Sequence, residues 1–279
     1  MLLVKTKEEL QQKLGSFREF GTVGFVPTMG ALHSGHLSLV EKAINENQVV
    51  VVSIFVNPTQ FNDSKDLERY PRTLESDLKL LKSTGCQFVF APGVNEIYPK
   101  PDRRIFNFGT LDSVMEGKHR SGHFNGVAQV VSRLFEIVKP DKAYFGLKDF
   151  QQLAIIKNLV VQLKLPVEIV SCPIIREESG LAMSSRNELL TTEERENAAL
   201  ISRTLFLAKN FVAEKSVEQL VHWVLKTINK NSFLTVEYFE VVDDTRLKPI
   251  KSWSEKNTKI GCIAVFCGKI RLIDNIILN

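Results

Sequence analysis

The sequence predicts an α/β protein: a Rossmann-like doubly wound parallel sheet followed by a smaller C-terminal α+β domain. Three observations carry that expectation. Apolar, β-branched runs alternate with longer helical patterns through the first ~170 residues, which is the rhythm of βαβ units. The run VVVVSIFV at 49–56 is apolar on both faces, as an interior parallel strand must be. After Arg176 the chain turns polar, then offers two helical patterns and three alternating strands.

Taken in order, the leucines of MLLVKTKEELQQKL follow a helical rhythm between charges. TVGFVP (22–27) reads as the first core strand. GHLSLVEKAINEN (35–47) follows as a helix with Leu37, Val40 and Ile44 on one face. VVVVSIFV is the next strand, and TLESDLKLLKSTG (73–85) a helix stopped by Gly85. QFVFAP is a strand, HFNGVAQVVSRLFEIVK (123–139) an amphipathic helix, and KAYFG (142–146) a short strand. The helix DFQQLAIIKNLVVQL and the strand VEIVSCPII close this set. REESGLAMSSRNELLTTEE reads as loop. Helices are expected at about 191–210 and 216–230, the first capped by Thr191 or Thr192 with Glu193 and Glu194 in its opening turn. TVEYFEVVD, IGCIAVF and IRLIDNIIL supply an antiparallel sheet. The domain boundary falls within 173–187 and divides residues 1–174 from 175–279.

The 279 residues exceed the usual ~100–150 of one domain. Lys and Arg are scattered among acids, as in KSWSEKNTK (251–259), and the formal net charge is only +4; neither favours nucleic acid as a partner. The N-terminus lacks a signal-peptide layout. The longest apolar stretch is far short of the ~20 residues that cross a membrane. A soluble cytoplasmic protein is expected. Cys86, Cys172, Cys262 and Cys267 form no CxxC pair and lie in or beside apolar runs, so buried reduced thiols are expected rather than a zinc cluster.

The most informative stretch is FVPTMGALHSGH (25–36). A loop after a parallel strand lies at the carboxyl edge of the sheet, where open α/β folds bind ligands. N–H groups at the following helix start, with the helix dipole, favour phosphate. Gly30 and Gly35 let the backbone come close, and His33 and His36 lie three apart on one turn. The same residues also suit a plain tight turn with two surface histidines. A zinc site would need further ligands, for which His119 and His123 are the candidates in the pattern. FVNPTQF (55–61) follows the second core strand, so Asn57 and Gln60 share that sheet edge, although an Asn-Pro turn accounts for it equally. FGLKD opens another helix with Lys148 as a phosphate point charge and Asp149 as a cap or contact; Gln152 lies about one turn on. In MSSR (183–186), two hydroxyls and a guanidinium suit a triphosphate clamp or a solvated linker. Arg120 and His123 are a substrate or structural contact and a helix start. Residues 62–73 read as a flexible flap with Asp63 and Asp66 solvated, and Asp77 faces either a metal–phosphate complex or the surface.

HSGH resembles the HIGH signature of the nucleotidyltransferase superfamily that includes class I aminoacyl-tRNA synthetases. PTMGALHSGH resembles the signature of the pantothenate synthetase (pantoate–β-alanine ligase) family. FVNPTQF, YPRT (70–73), EGKHRSGHFNGV (116–127), FGLKDFQQ (145–152) and GLAMSSRN (180–187) agree with that family in order and spacing over nearly the whole chain. The resemblance implies a two-step ligation. The pantoate carboxylate attacks the α-phosphate of Mg-ATP and releases pyrophosphate. The β-alanine amine then attacks the acyl adenylate, giving pantothenate and AMP. The implied ATP contacts are Met29, Gly30, Ala31, Leu32, His33, Ser34, Gly35, His36, Gly146, Leu147, Lys148, Asp149, Met183, Ser184, Ser185 and Arg186, with Ile175 beside the adenine. Asn57, Gln60 and Gln152 are the implied pantoate residues, Gln60 also serving β-alanine. His36, His33, Lys148 and Arg186 carry the catalytic charge stabilisation. Mg2+ is expected on the ATP phosphates with few protein ligands, and a homodimer is expected without nucleic-acid or membrane partners. Two positions depart from the family: Leu147, where an acid is common, and Ser121, where proline is typical. The rivals are another nucleotidyltransferase of the superfamily, such as one making a dinucleotide cofactor, and a non-catalytic nucleotide-binding protein.

Overall fold

A computed structural model describes residues 1–19 and 21–278, and the described chain separates into two compact units. The first comprises residues 1–108, 120–147 and 152–173; the second comprises 109–119, 148–151 and 174–279. The chain passes to the second unit after Pro173, and two short inner segments, 109–119 and 148–151, also belong to that unit.

Strand β1 (Leu2–Val4), helix α1 (Lys7–Arg18), β2 (Val23–Thr28), α2 (Ser34–Glu46) and β3 (Val49–Ile54) open the chain. Then come α3 (Ser64–Arg69), α4 (Leu74–Lys82), β4 (Phe88–Phe90), α5 (Val94–Ile97), α6 (Met115–His119) and α7 (His123–Val138). β5 (Lys142–Gly146), α8 (Phe150–Leu163) and β6 (Glu168–Cys172) complete the α/β pattern. The strands of the first unit form one parallel sheet in the order β1-β4-β3-β2-β5-β6. β2 is flanked by β3 and β5, so the winding direction reverses there. In open α/β sheets a reversal of this kind is where ligands bind, here at the carboxyl ends of β2 and β5.

Successive strand residues face opposite sides, and β2 shows both sides covered. Val26 joins a buried cluster with Leu39, Val40 and Ala43 of α2 and with Val50 and Val52 of β3. Phe25 meets Phe135 of α7 edge-on, with centroids 6.2 Å apart. Each fully buried valine or leucine here contributes roughly 1.5–3 kcal/mol relative to exposure. The α2 stripe therefore centres on Leu39, Val40 and Ala43, while the expected Leu37 and Ile44 are only half-buried. Leu37 and Ile44 pack at the margin of the same cluster.

The N-terminal expectation needs correction. Leu2–Val4 is a strand, registered with Phe88–Phe90, and the helix begins only at Lys7 with Thr6 as its cap. An open sheet edge beside β4 outweighs the local helical rhythm. The 62–73 segment, expected as a flap, holds α3, and Asp63 caps it by accepting from the Lys65 N–H at 2.9 Å.

In the second unit, α9 (Thr192–Asn210) and α10 (Val217–Ile228) share a core with an antiparallel sheet, β7 (Leu234–Asp243), β8 (Lys259–Cys267) and β9 (Ile270–Ile277), in that order. Ile201 and Leu205 of α9, Leu220 and Val224 of α10, and Ile263 and Val265 of β8 form its centre. Thr191, not Thr192, caps α9. Its Oγ1 accepts from Glu194 N–H at 3.2 Å, and Glu194 Oε2 accepts from Thr191 N–H at 2.8 Å. All four cysteines are free and buried. Among the described residues no helix is long and apolar enough to cross a membrane.

Candidate active site

The glycine–histidine loop leaves the carboxyl end of β2 under tight control. Thr28 Oγ1 donates to Ser53 O at 2.7 Å and accepts from Gly30 N–H at 3.2 Å. Gly30 (φ +84°) and Ala31 (φ +49°) are both left-handed. That pair of turns aims the next two N–H groups at Asp77. Its Oδ2 accepts from Ala31 at 3.0 Å and its Oδ1 from Leu32 at 2.8 Å. Thr73 Oγ1 adds a third donor at 3.2 Å. A Cβ on Gly30 would stand 3.0 Å from Asp77 Oδ2, so glycine is required for contact as well as for φ. Asp77 is only 1 % exposed. It holds neither the surface position nor an open metal-facing position weighed from sequence; it braces the loop. Thr73 and Asp77 sit one helical turn apart, but the partners that matter lie across the chain.

His33 is the cap residue of α2. Its Nδ1 accepts from Gly35 N–H at 3.1 Å, and His36 Nδ1 accepts from His33 N–H at 3.4 Å. His33 O accepts from His36 and Leu37 N–H at 2.8 and 3.1 Å. The helix start is thus not a row of bare N–H groups, as the phosphate reading assumed, because the imidazoles themselves cap it. This has an electronic consequence. A neutral imidazole whose Nδ1 accepts carries its proton on Nε2, so both rings present N–H at the corner remote from the backbone. The ring centroids are 4.1 Å apart.

Beyond β3, Asn57 caps a 3₁₀ turn, Pro58–Gln60. Asn57 Oδ1 accepts from Tyr98 Oη at 2.9 Å, while its Nδ2 donates to Gln60 Oε1 and Gly126 O, each at 3.1 Å. Gln60 Nε2 in turn donates to Met29 Sδ at 3.0 Å, which joins the amides to the histidine loop. Asn57, at 1 % exposure, orients Gln60 from behind. The backbone of that turn is held by His123, whose Nδ1 lies 2.8 Å from Gln60 O while Arg120 lies 3.2 Å from its Nε2. A guanidinium can only donate, so Nε2 accepts and Nδ1–H donates to Gln60 O. A Cβ on Gly126 would fall 2.2 Å from Thr59 O; only glycine lets α7 lie this close to the turn. Tyr98 and Gly126 carry no sequence signal for these roles. Burial raises the Tyr98 hydroxyl above its ordinary range, with the Thr59 hydrogen bond opposing. Gly146 ends β5 in register with Cys172, and Leu147 follows it. Gln152, near the start of α8, is half-buried.

The remaining residues belong to the second unit. Lys148 and Asp149 sit on a 3₁₀ turn, Lys148 Nζ 3.5 Å from Asp149 Oδ2, and Asn275 Nδ2 donates to Lys148 O at 2.9 Å. The MSSR segment is not a solvated linker. Arg176 and Ala182 form an antiparallel bridge, Met183 N–H donates to Ile175 O at 3.0 Å, and Gly180 (φ +92°) makes the turn. Ser184 Oγ accepts from Arg186 N–H at 3.3 Å, capping a 3₁₀ turn in which Ser185 and Asn187 are buried. The EGKH block serves a different cluster. Arg271 grips Glu116 with two hydrogen bonds, 2.8 and 2.7 Å, and also reaches Glu237 at 3.0 Å. His119 stacks on Tyr238 and lies 3.7 Å from Glu237. Burial and then the Glu116 charge lift the Tyr238 hydroxyl above its usual range.

Among the described residues no group of three or more His, Cys, Asp or Glu could hold a metal ion. The two histidines that a zinc site would have needed have other partners: His123 with Gln60 and Arg120, His119 beside Glu237. The first unit therefore gathers the histidine loop, Asn57 and Gln60, and carries Gly146, Leu147 and Gln152. The second carries Lys148, Asp149, Ile175 and Met183–Arg186.

With this geometry in hand, comparison with known proteins is specific. A family model for pantoate-beta-alanine ligase matches residues 2–277. Pantothenate synthetase of Bacteroides fragilis is 55 % identical over 277 residues, covering 99 % of this chain and 98 % of that protein. Pantothenate synthetase of Christiangramia forsetii is 49 % identical over 282 residues, covering all of both chains. The crystal structure of pantothenate synthetase from Thermus thermophilus is similar with a TM-score of 0.93 at 42 % identity, covering 100 % of this chain and 99 % of that one. The Francisella tularensis ligase, complexed with β-γ ATP and β-alanine, gives a TM-score of 0.84 at 36 % identity, covering 100 % and 98 %.

Proposed function

We infer, because this chain belongs to the pantoate–β-alanine ligase family, that it joins pantoate to β-alanine in two steps, using the residues gathered above. In the first step a pantoate carboxylate oxygen forms a bond to the α-phosphorus of ATP, and the bond to the bridging oxygen breaks to release pyrophosphate. In the second, the β-alanine nitrogen attacks the acyl carbon, AMP departs, and the amine loses a proton to give the amide of pantothenate. No protein atom becomes covalently bonded to substrate. Catalysis rests on position and on charge met where it develops.

The observation that carries this assignment is the paired imidazole cap. Each Nδ1 accepts a backbone hydrogen bond, so each Nε2–H is a preset donor for phosphate oxygens as negative charge moves onto the leaving pyrophosphate. Lys148 and Arg186 are the cationic side chains that the second unit offers to ATP phosphates. Gln60, oriented by Asn57, addresses pantoate together with Gln152. Mg2+ arrives as part of the ATP complex, coordinated mainly by phosphate oxygens and water. The donor set suits this supply: the buried Asp77 carboxylate already accepts from Ala31, Leu32 and Thr73. A homodimer in the cytoplasm completes the proposal.

AMP release measured with ATP, pantoate and β-alanine, omitting each in turn, tests the assignment. AMP is expected only when all three are present, with pyrophosphate formed in a single turnover from ATP and pantoate alone. AMP release that does not depend on pantoate would overturn it.

A further inference from the structure

In the second unit, two consecutive residues of β9 hold the two segments that the ligase reading assigns to ATP. The carboxylate of Asp274 receives Arg176 in a two-point grip, Nη1 to Oδ2 at 2.6 Å and Nη2 to Oδ1 at 2.9 Å. The same guanidinium donates to Gly180 O at 3.1 Å, and Arg176 bridges Ala182 across the turn. Asp274 thereby fixes the base of the hairpin from which Met183–Arg186 projects. The next residue turns to the other segment: Asn275 Nδ2 donates to Lys148 O at 2.9 Å. The two holds are linked, because Asn275 N–H donates to Asp274 Oδ1 at 2.8 Å. Both side chains are buried, Asp274 at 4 % and Asn275 at 6 % exposure. Their strand is anchored along its length to β8, with Ile263 opposite Asp274 and Cys262 opposite Asn275.

A polar pair inside an apolar sheet layer costs stability unless it is fully used. We propose that Asp274 and Asn275 are positioning residues for the nucleotide. They fix the Lys148 backbone and the Met183–Arg186 loop in one frame, so that an ammonium and a guanidinium meet one triphosphate at a set spacing. The proposal rests on the reading of Lys148 and Arg186 as ATP contacts.

The test uses the full-length enzyme and steady-state kinetics with each substrate varied. Asn275→Ala removes the donor to Lys148 O, and Asn275→Asp replaces it with an acceptor at nearly constant volume, which covers the case where the smaller side chain impairs folding. Both are expected to raise KM for ATP about tenfold, the worth of one well-placed hydrogen bond, with KM for pantoate within twofold of the parent. The distinguishing readout is a double-mutant cycle. In a Lys148→Ala background the Asn275→Ala effect on ATP should vanish, whereas a merely structural role would give the same loss in either background. An unchanged KM for ATP in both Asn275 variants, or an undiminished Asn275→Ala effect in the Lys148→Ala background, overturns the proposal when Lys148→Ala itself impairs ATP use. An unchanged KM for ATP and kcat in both Lys148→Ala and Arg186→Ala would instead overturn the ATP assignment of these segments, and the proposal with it.

Discussion

The histidine loop of the first unit and the Met183–Arg186 loop of the second reach order by opposite means. In the histidine loop the residues assigned to phosphate also build the fold: His33 and His36 cap α2 with their own rings. In the other loop the two jobs are largely divided. Its hairpin is held by Arg176 on Asp274 and by Asn187 on Glu177 and Ala182 O. The helix that follows is capped by Thr191 and Glu194. Ser184 does both, since it caps the 3₁₀ turn beneath Arg186. A substitution in the first loop therefore entangles rate with stability, whereas one in the second should separate them.

The largest expected effect comes from splitting the two roles of His36. Asparagine offers an acceptor near the place of Nδ1 but has no group at Nε2; glutamine reaches toward Nε2 but gives up the near acceptor. His36→Asn should lower kcat by about 10²–10³-fold, the usual loss for one preset donor to a developing oxyanion, with little change in Tm. His36→Gln should retain more activity and lose more stability. Turnover and thermal melts measured on both variants decide the matter. Equal losses of both quantities in the two variants would mean that the ring is not divisible, and the contrast between the loops would deepen.

Asp77→Ala comes next. It strips the acceptor from two peptide N–H groups in a buried place, and hydrogen bonds to a charged partner are worth about 1.5–3 kcal/mol each. A net loss of about 2–3 kcal/mol in urea unfolding is expected, since water recovers part of the cost. Activity should fall with it, because that carboxylate anchors the Ala31 and Leu32 N–H groups of the histidine loop. Full activity in a destabilised Asp77→Ala enzyme would show that the loop keeps its shape without the brace.

Such braces mark the limit of what was legible in the chain. Elements set by local period were readable: the strand 142–146 matches β5 residue for residue, and the amphipathic pattern at 123–139 matches α7 to within one residue. β1 was not readable, because three apolar residues become a strand only through the vacant edge beside β4. The site shows the same division. Gly30, His33 and His36 announce themselves by type and spacing. Asp77, Tyr98, Gly126 and Asn275 act through partners far away in sequence, and a buried acceptor looks like any surface acid until its donors are known. The solvated-linker alternative for Met183–Arg186 fails for a related reason: polar composition is also what a hydrogen-bonded turn looks like, and Asn187 is buried with its amide donating to both Glu177 and Ala182.

The smallest expected effect is the most pointed test of the contrast. Thr191→Ala removes the hydroxyl that accepts from Glu194 N–H and weakens the reciprocal contact, a loss of about 1 kcal/mol for a cap of this kind. In a chain of this size that corresponds to a Tm lower by roughly 2–4 °C. Turnover and KM for ATP should stay within twofold. The physical reason lies in where α9 is tied to the hairpin. Arg195 grips Glu177 with two hydrogen bonds of 2.9 Å, and Glu177 also receives Asn187 at 2.7 Å. That tie lies one residue beyond Glu194, within the helix proper, so fraying confined to the cap leaves it in place. A fivefold or greater rise in KM for ATP would mean that the cap reaches back through the 3₁₀ turn to Arg186. The second loop would then share its residues between fold and chemistry much as the first does.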